Sequence, residues 1–452
     1  MKQASISIFA RLADLVGAEH VLTHEAELTA CEVDGLRPST VVRPGSAAEV
    51  AEIVSLASAE RLAVIPMGGR TKLGIGMPPQ RYDLALDLTR MDRVLAFDAS
   101  DLTLRVEPGV RFAYLEKELT AKRQFLPLAP AFAGRATLGG MIAANADSPL
   151  RYAYWSARDQ LLGMEFVTGA GVAAKSGGRV VKNVTGYDLH QILAGSLGTL
   201  AVITRLNFRT LPLPPQQRMF VTTFARGEGA LEFCRAVRKS QLQPILLEAF
   251  DPSTAKVFRS VRTPLDRWSV ALGAAGDSAV ITRYEQDLSR TAQQAHADDF
   301  ASFDGADRDT LFTALQEFPQ LVLEAYPGAA IFRVAILPGA MADLLRETQK
   351  LHERHQVETA ILVRAVGVVY VALLAADGDA RMAARLPAAC RELMQACLGM
   401  GARPMIERCP VALKRGMSVW PPPGSDQALA EKLKQLFDPH GVLAPGRFLG
   451  GL

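Results

Sequence analysis

The chain has 452 residues, 49% of them hydrophobic and 21% charged, which is enough apolar side chain for a large buried core and excludes a disordered or fibrous protein. Its 50 Lys and Arg against 47 Asp and Glu leave a charge of +3, and no stretch gathers that surplus into a stripe able to follow a phosphate backbone, so nucleic acid is not an expected partner. The longest apolar run, Ala365 to Ala376, is twelve residues, well short of the roughly 20 that cross a bilayer.

After an amphipathic start, Arg37 to Pro44 reads as a short β-branched strand bounded by prolines. Ser46-Ala47-Ala48-Glu49 has the form of a capping box, and Val50, Ile53, Val54 and Ala57 then form one apolar helical stripe. A second strand at Leu62 to Ile65 runs straight into the Gly-rich stretch Pro66-Met67-Gly68-Gly69-Arg70-Thr71-Lys72-Leu73. Asp83 to Leu88 and Leu102 to Glu107 alternate strictly, as half-buried strands do. Phe112, Leu115 and Leu119 predict a short helix, and a second helix is expected to open at Thr137-Leu138-Gly139-Gly140 and run through Ala143 towards Asn145. Further strands are predicted at Gly163 to Thr168, Val180 to Asn183 and Leu200 to Leu206, and the Pro-rich segment Leu211 to Pro215 marks a boundary.

Beyond that boundary, strands are expected near Met219 to Phe224, Ile245 to Phe250, Ser278 to Tyr284, Ala330 to Leu337, Ala360 to Val363 and Val366 to Leu374, alternating with Ala/Arg/Glu-rich helices. This is the pattern of an α+β domain with an antiparallel sheet. A helix is expected from about Asp426 to Phe437. Length alone suggests about three domains, whereas the motifs divide the chain into 1–215, 216–405 and a C-terminal segment 406–452 returning to the first part.

Closely spaced glycines let successive backbone N–H groups converge on an anion without Cβ clashes. Gly68 to Gly76 is such a stretch, with Arg70 and Lys72 as added charge, although an ordinary Gly-rich turn accounts for the loop equally well. Thr137 to Gly140 would place free N–H groups and a helix dipole beside it. Two anion cradles in one α/β region suggest a diphosphate ligand. Gly169-Ala170-Gly171-Val172-Ala173-Ala174 matches a dinucleotide fingerprint, but the chain breaks at Gly177-Gly178 and no helix opens there, so a hairpin turn is the better reading.

The segments PMGGRTKLG, ATLGGMIAANA, RYAYWSARDQLLG, GGRVVKNVTGYDL and GSLGTLAVIT, in this order, resemble the FAD-binding domain of the vanillyl-alcohol-oxidase type, also called PCMH-type, over residues 37 to 212. Within that superfamily the GGRVVKNVTGYDL run and the ending from Glu407 through FDPHGVLAPGRFLGGL look most like the FAD-binding subunit of bacterial glycolate oxidase. The resemblance implies an α+β fold: a PCMH-type FAD-binding domain of two subdomains and an α+β cap carrying an antiparallel sheet.

It further implies that Pro66 to Leu73 and Thr137 to Asn145 hold the FAD pyrophosphate and that Arg158 and Asp159 lie near the flavin. The stretch Gly198 to Ile203, with Gly198, Thr199, Val202 and Ile203 foremost, would pass beside it through backbone contacts, and Lys182, Asn183 and Tyr187 would line the site. Some members of the superfamily attach the flavin through His or Cys. Here the matching position is Arg70 and Pro127 to Arg135 contains no Cys, so non-covalent FAD is expected. Lys182, Arg333 and Lys414 are the candidates for positive charge facing the carboxylate of a 2-hydroxy acid.

Catalytic 2-hydroxy-acid dehydrogenases of the superfamily carry an H-x-G-D-G-N-x-H signature in the cap, which this sequence lacks, and no metal site is expected. The resemblance therefore implies a flavin-bearing partner of a separate catalytic flavoprotein. The five cysteines, at 31, 234, 390, 397 and 409, form no CxxC pair, which suits reduced thiols and leaves no ligands for an iron-sulfur cluster. The resemblance implies an iron-sulfur partner subunit as well. The expected location is the cytoplasm, and docking at the inner face of the cell membrane would need no spanning helix.

Overall fold

The computed structural model describes residues 2–179, 186–259, 261–376 and 378–452. The first third of the chain builds a four-stranded sheet in the order Val21–Leu22, Thr40–Val42, Leu84–Asp87, Val64–Met67. Its first pair is antiparallel and the other two are parallel. The alternating stretch from Asp83 lies between two parallel neighbours, so Leu84 to Asp87 is buried on both faces rather than one. Helix Ala47–Ala59 packs Val50, Ile53, Val54 and Ala57 onto this sheet, as its stripe predicts. Its cap is a variant of the expected box. The Ser46 hydroxyl accepts from the Glu49 amide, but the Glu49 carboxylate reaches one residue further back, to the Gly45 amide at 2.8 Å.

A second, antiparallel sheet runs Val94–Asp98, Thr103–Val106, Ala201–Arg209, Leu161–Thr168, Ala173–Gly177. The fingerprint-like glycines form a hairpin turn, with the Gly171 amide donating to Thr168 O at 2.9 Å and Gly171 at a φ of 79°. The return strand begins at once, at Ala173, where the sequence reading had placed a break before Val180. The strand expected at Val180 to Asn183 lies outside the described residues. The tail packs back against this region: Ala444 N donates to Val64 O and Val64 N to Val442 O, both at 2.8 Å, while Phe437 joins the core beneath the second sheet.

The third sheet has eight strands in the order Asp299–Phe303, Gln216–Phe224, Trp268–Gly276, Leu246–Phe250, Thr359–Arg364, Val368–Leu373, Ala330–Ala335, Arg403–Arg408, and every pairing is antiparallel. Three of these, at 268, 299 and 403, are absent from the sequence reading. One expected strand is a helix: Ser278 to Tyr284 begins the helix Ser278–Gln294. Asp277 caps it by accepting from the Val280 amide, and Ile281, Tyr284, Leu288 and Ala292 bury a helical stripe that continues past the window from which the strand was read. The apolar run from Ala360 to Leu374 folds as a hairpin, turned at Gly367 with a φ of 100°.

The sheet is covered on both sides. One face packs on the helices Gly227–Lys239, Ser278–Gln294, Met341–His355 and Ala380–Gly399. The other packs Leu246, Phe250, Ile331 and Leu362 beneath helices Pro252–Phe258, Gly305–Gln316 and Phe318–Ala325. Further along this second face the apolar residues give way to Glu248, Arg364, Arg333, Tyr370 and Glu407. All five cysteines are free thiols, and Cys390 and Cys397 are core residues of one helix. No described helix is long and apolar enough to cross a membrane.

Candidate functional site

Strand Val64–Met67 delivers the chain into the Gly-rich loop, and Pro66 to Leu73 line a groove whose other wall includes Gly140, Ala143, Ala144, Leu197 and Arg447. A continuous second groove shares Pro66, Met67 and Gly68 and extends along Pro108, Thr137, Gly139, Gly198, Ala201 and Ile203. Two glycines are dictated by close approach. A Cβ on Gly69 would lie 1.7 Å from Arg135 O, and one on Gly68 would lie 2.2 Å from Thr137 Oγ1. Among the described residues no protein acceptor meets the amide N–H groups of Arg70, Thr71, Lys72 and Leu73. Four consecutive free amides beside a Cβ-free wall form a nest suited to a diphosphate.

The second expected cradle is occupied by the protein itself. Helix Leu138–Ala143 begins at Thr137, whose hydroxyl accepts from Gly140, but the Leu138 amide donates to Val110 O at 2.9 Å and the Gly139 amide to Pro108 O at 2.8 Å. This helix start contributes shape rather than free donors. A Cβ on Gly139 would collide with Pro108 at 2.6 Å, so the glycine lets two walls of the groove meet. Leu138 is fully buried behind it.

Of the two loop cations, Arg70 is not free for an anion. Its guanidinium is held by Asp87 Oδ2 at 2.9 Å and by Ala30 O, with Arg43 on the same carboxylate. Lys72 is buried 5.5 Å over the Phe132 ring and 3.9 Å from Glu407 Oε1. Burial pushes its ammonium down to about 8, Glu407 opposes this, and Arg408 and Arg333 lower it further.

Other expected contacts are placed elsewhere. Asp159 caps its own turn through Ser156, Arg158 is exposed beside Asn145, whose Oδ1 accepts the Arg158 amide at 3.1 Å, and Tyr187 is exposed to solvent. None of these four lines the grooves. Thr199 is buried with its hydroxyl on Ser196 O, and Val202 points into the core under helix Ala47–Ala59, whereas its neighbours Ala201 and Ile203 face the groove by strand alternation. Lys182 and Asn183 lie outside the described residues. Lys414, expected to face substrate, has its ammonium on Asp34 Oδ1 and Oδ2 at 2.9 and 2.8 Å and on Gly74 O at 2.8 Å.

Arg333 is the third of the expected cations. It projects from the charged face of the third sheet, 3.8 Å from Glu407 Oε2, against Met405 Sδ. A β-bulge is responsible for its partner. Ile331 pairs with Arg408 and Phe332 with Ile406, so Glu407 is the inserted residue and both it and Arg408 turn towards the Gly-rich loop. Lys72 and Arg333 thus share one carboxylate at distances too long for a hydrogen bond, and Arg408 carries no carboxylate partner among the described residues. Beside them Arg364 bridges Asp147, 2.7 Å away, to Glu248. Burial pushes the Glu248 carboxyl up to about 7 despite Arg364, while Asp147, equally disfavoured by burial, is held below its ordinary range by Arg364, Arg151 and Arg333.

Sequence reasoning missed Leu197 and Arg447 in the groove and Glu407, Arg408 and Tyr370 at the seam, whereas Ala201 falls inside the stretch Gly198 to Ile203 expected beside the cofactor. The motifs carrying the resemblance include Leu197, Glu407, Arg408 and Arg447, and Tyr370 had no signal. No group of three His, Cys, Asp or Glu suited to a metal ion occurs among the described residues.

The FAD binding domain model matches residues 38–176, and the model for the C-terminal domain of FAD linked oxidases matches 213–402, together well over half the chain. D-2-hydroxyglutarate dehydrogenase of Xanthomonas citri pv. viticola is 27% identical over 427 residues, 91% of this chain and 89% of that protein. Glycolate oxidase subunit GlcD of Bacillus subtilis is 29% identical over 220 residues, and this match spans only about half of either chain, 49% and 47%. The fold is shared with p-cresol methylhydroxylase at a TM-score of 0.80 and 16% identity, covering 99% of this chain and 97% of the other. With the two domain models in this order and a loop built to take a diphosphate, the chain belongs to the PCMH-type, or vanillyl-alcohol-oxidase, superfamily, and FAD is its cofactor.

Proposed function

We propose that this chain oxidises a small 2-hydroxy acid in an FAD-linked reaction, as the flavin-bearing subunit of a complex of the glycolate oxidase type. The observation that carries this reading is a surplus of positive charge where the Gly-rich loop meets the third sheet: the partly buried Lys72 and Arg333 share the single buried carboxylate of Glu407. Two largely desolvated cations sharing one counter-charge are costly, and a small carboxylate would restore the balance. Bound FAD would supply the two-electron acceptor for a hydride leaving the α-carbon. The chain's part is to hold the carboxylate on Arg333 and Lys72 and to keep water from the seam. FAD is held without a covalent bond in this reading. Relatives named as a dehydrogenase of D-2-hydroxyglutarate and as a glycolate oxidase subunit support the substrate class.

The test is anaerobic mixing of the FAD-loaded protein, alone and with co-purified partner chains, with glycolate, D-lactate and D-2-hydroxyglutarate. Loss of the oxidised flavin band with one of these supports the reading, and turnover by the isolated chain would make it self-sufficient. An unchanged band with all three in the complete complex would leave a flavin-bearing assembly subunit and end the catalytic proposal. The protonation of Lys72 gives a second handle. Its ammonium is present below about pH 8 and lost above it, so KM for the acid is expected to rise as the pH passes through about 8. Lys72→Arg should flatten that rise, and a wild-type KM that stays level across this range would remove Lys72 from substrate binding.

A further inference from the structure

Four of the five carbonyls from Thr71 to Ile75, in the Gly-rich loop and its continuation, are taken by cations from the last tenth of the chain, and the fifth, Lys72 O, accepts from the Ile75 amide. Arg408 Nη2 donates to Thr71 O, Lys414 Nζ to Gly74 O at 2.8 Å, and Arg447 Nη2 to Leu73 O and to Ile75 O, the latter at 2.6 Å. The three come from different elements: the bulged end of strand Arg403–Arg408, helix Val411–Gly416 and the tail. All are buried, at 9%, 3% and 2% exposure. In a planar trans peptide the C=O of one residue and the N–H of the next point opposite ways, so fixing Thr71 O and Leu73 O turns the amides of Lys72 and Gly74 away from the clamp.

Charge separates the three. Lys414 is neutralised by Asp34. Arg408 and Arg447 have no carboxylate within ion-pair reach among the described residues, and Arg408 Nη1 and Arg447 Nε are buried without a hydrogen-bond partner. Arg447 also lines the groove itself. Burial lowers the pKa of both guanidiniums, that of Arg447 to about 10, which leaves Arg447 charged at neutral pH. Two uncompensated buried cations beside a nest of free amides await a dianion.

We propose that Arg408, Lys414 and Arg447 are positioning residues for the FAD diphosphate: they aim the loop 70–74 by its carbonyls, and the two arginines add the charge that Arg70, tied to Asp87, does not provide. The inference rests on FAD as the cofactor. It makes the nest a joint product of both ends of the chain, complete only when the tail is docked.

The test uses the full-length protein stripped of FAD. Arg447→Met should weaken FAD binding about 100-fold and Arg447→Lys, which keeps the charge and one carbonyl, about tenfold, as expected for losing charged hydrogen bonds. In the FAD-free Arg447→Met protein, exchange of the Ile75 amide, which donates to Lys72 O at 3.0 Å, should quicken while the rest of the chain keeps its protection. An Arg447→Met protein with wild-type melting that binds FAD within twofold of wild type would overturn the clamp. If that variant does not fold, a twofold or smaller change in Arg447→Lys does the same. A wild-type protein that binds no FAD would instead overturn the cofactor assignment.

Discussion

Gly69→Ala is expected to lose FAD, with affinity falling by about 100-fold or more, while the helices and sheets of the protein remain formed. The added methyl would sit 1.7 Å from the carbonyl oxygen of Arg135. That carbonyl belongs to backbone, and Arg135 and Ala136 both donate to Phe132 O at 3.0 Å, so it cannot swing aside as a side chain would. Relief must come from the Gly-rich loop, whose free amides at 70–73 then leave the groove. Overpacking of this kind costs about 1–3 kcal/mol or more, and the whole cost falls on the segment that binds the cofactor. Gly134→Ala, on the neighbouring turn, is the control, since nothing lies within 4 Å of its Cβ position. Flavin-to-protein ratio after gel filtration and FAD titration of the stripped protein read the difference. Equal retention by the two variants would mean that the close approach is not what shapes the nest.

Arg364→Met should be the most destabilising single change at the seam, by about 3–5 kcal/mol, the usual consequence of removing one member of a buried ionic cluster. Arg364 lies 2.7 Å from Asp147, contacts Glu248 and covers the Tyr370 ring at 5.5 Å, and all four side chains are buried or nearly so. Its loss leaves Glu248 without a charged partner and Asp147 with only Arg151, at 3.4 Å. Because Asp147 follows the helix at the groove and Glu248 belongs to the third sheet, the damage should include the contact between them. Urea unfolding measures the loss. The double variant Arg364→Met/Glu248→Gln should recover part of it, because one buried charge is removed with its partner. A single variant within 1 kcal/mol of wild type would mean that the cluster does not bear on stability.

How much of this was legible beforehand depended on whether the information was local. The helix at Ala47, the cap at Thr137 and the hairpin at Gly169 are set by residues within a few positions of one another, and their signals were sound. The strand read at Ser278 failed because the window ended before Leu288 and Ala292, which complete the helical stripe. The strands at Trp268, Asp299 and Arg403 were passed over because their apolar residues acquire a periodicity only against neighbours far away in sequence.

The same division runs through the site. Side-chain type and short spacing pointed to the Gly-rich loop as a diphosphate holder, and that loop does carry the free amides. They could not show that Arg70 spends its charge on Asp87, that the Thr137 helix start is satisfied by Val110 and Pro108, or that Lys414 faces a loop carbonyl instead of substrate.

Taken alone, the amino-acid sequence determined the Gly-rich loop, the helix caps and the α+β pattern of the second half, because these depend on glycines, caps and alternation read along a few residues, while the PCMH-type fold and FAD came from the resemblance that its motifs carry. The tertiary structure decided which cations remain uncompensated, through contacts such as Arg447 with Leu73 and Glu407 with Lys72, between residues hundreds of positions apart. The physical reason is that a buried charge takes its meaning from its partners, and folding, not spacing, chooses the partners.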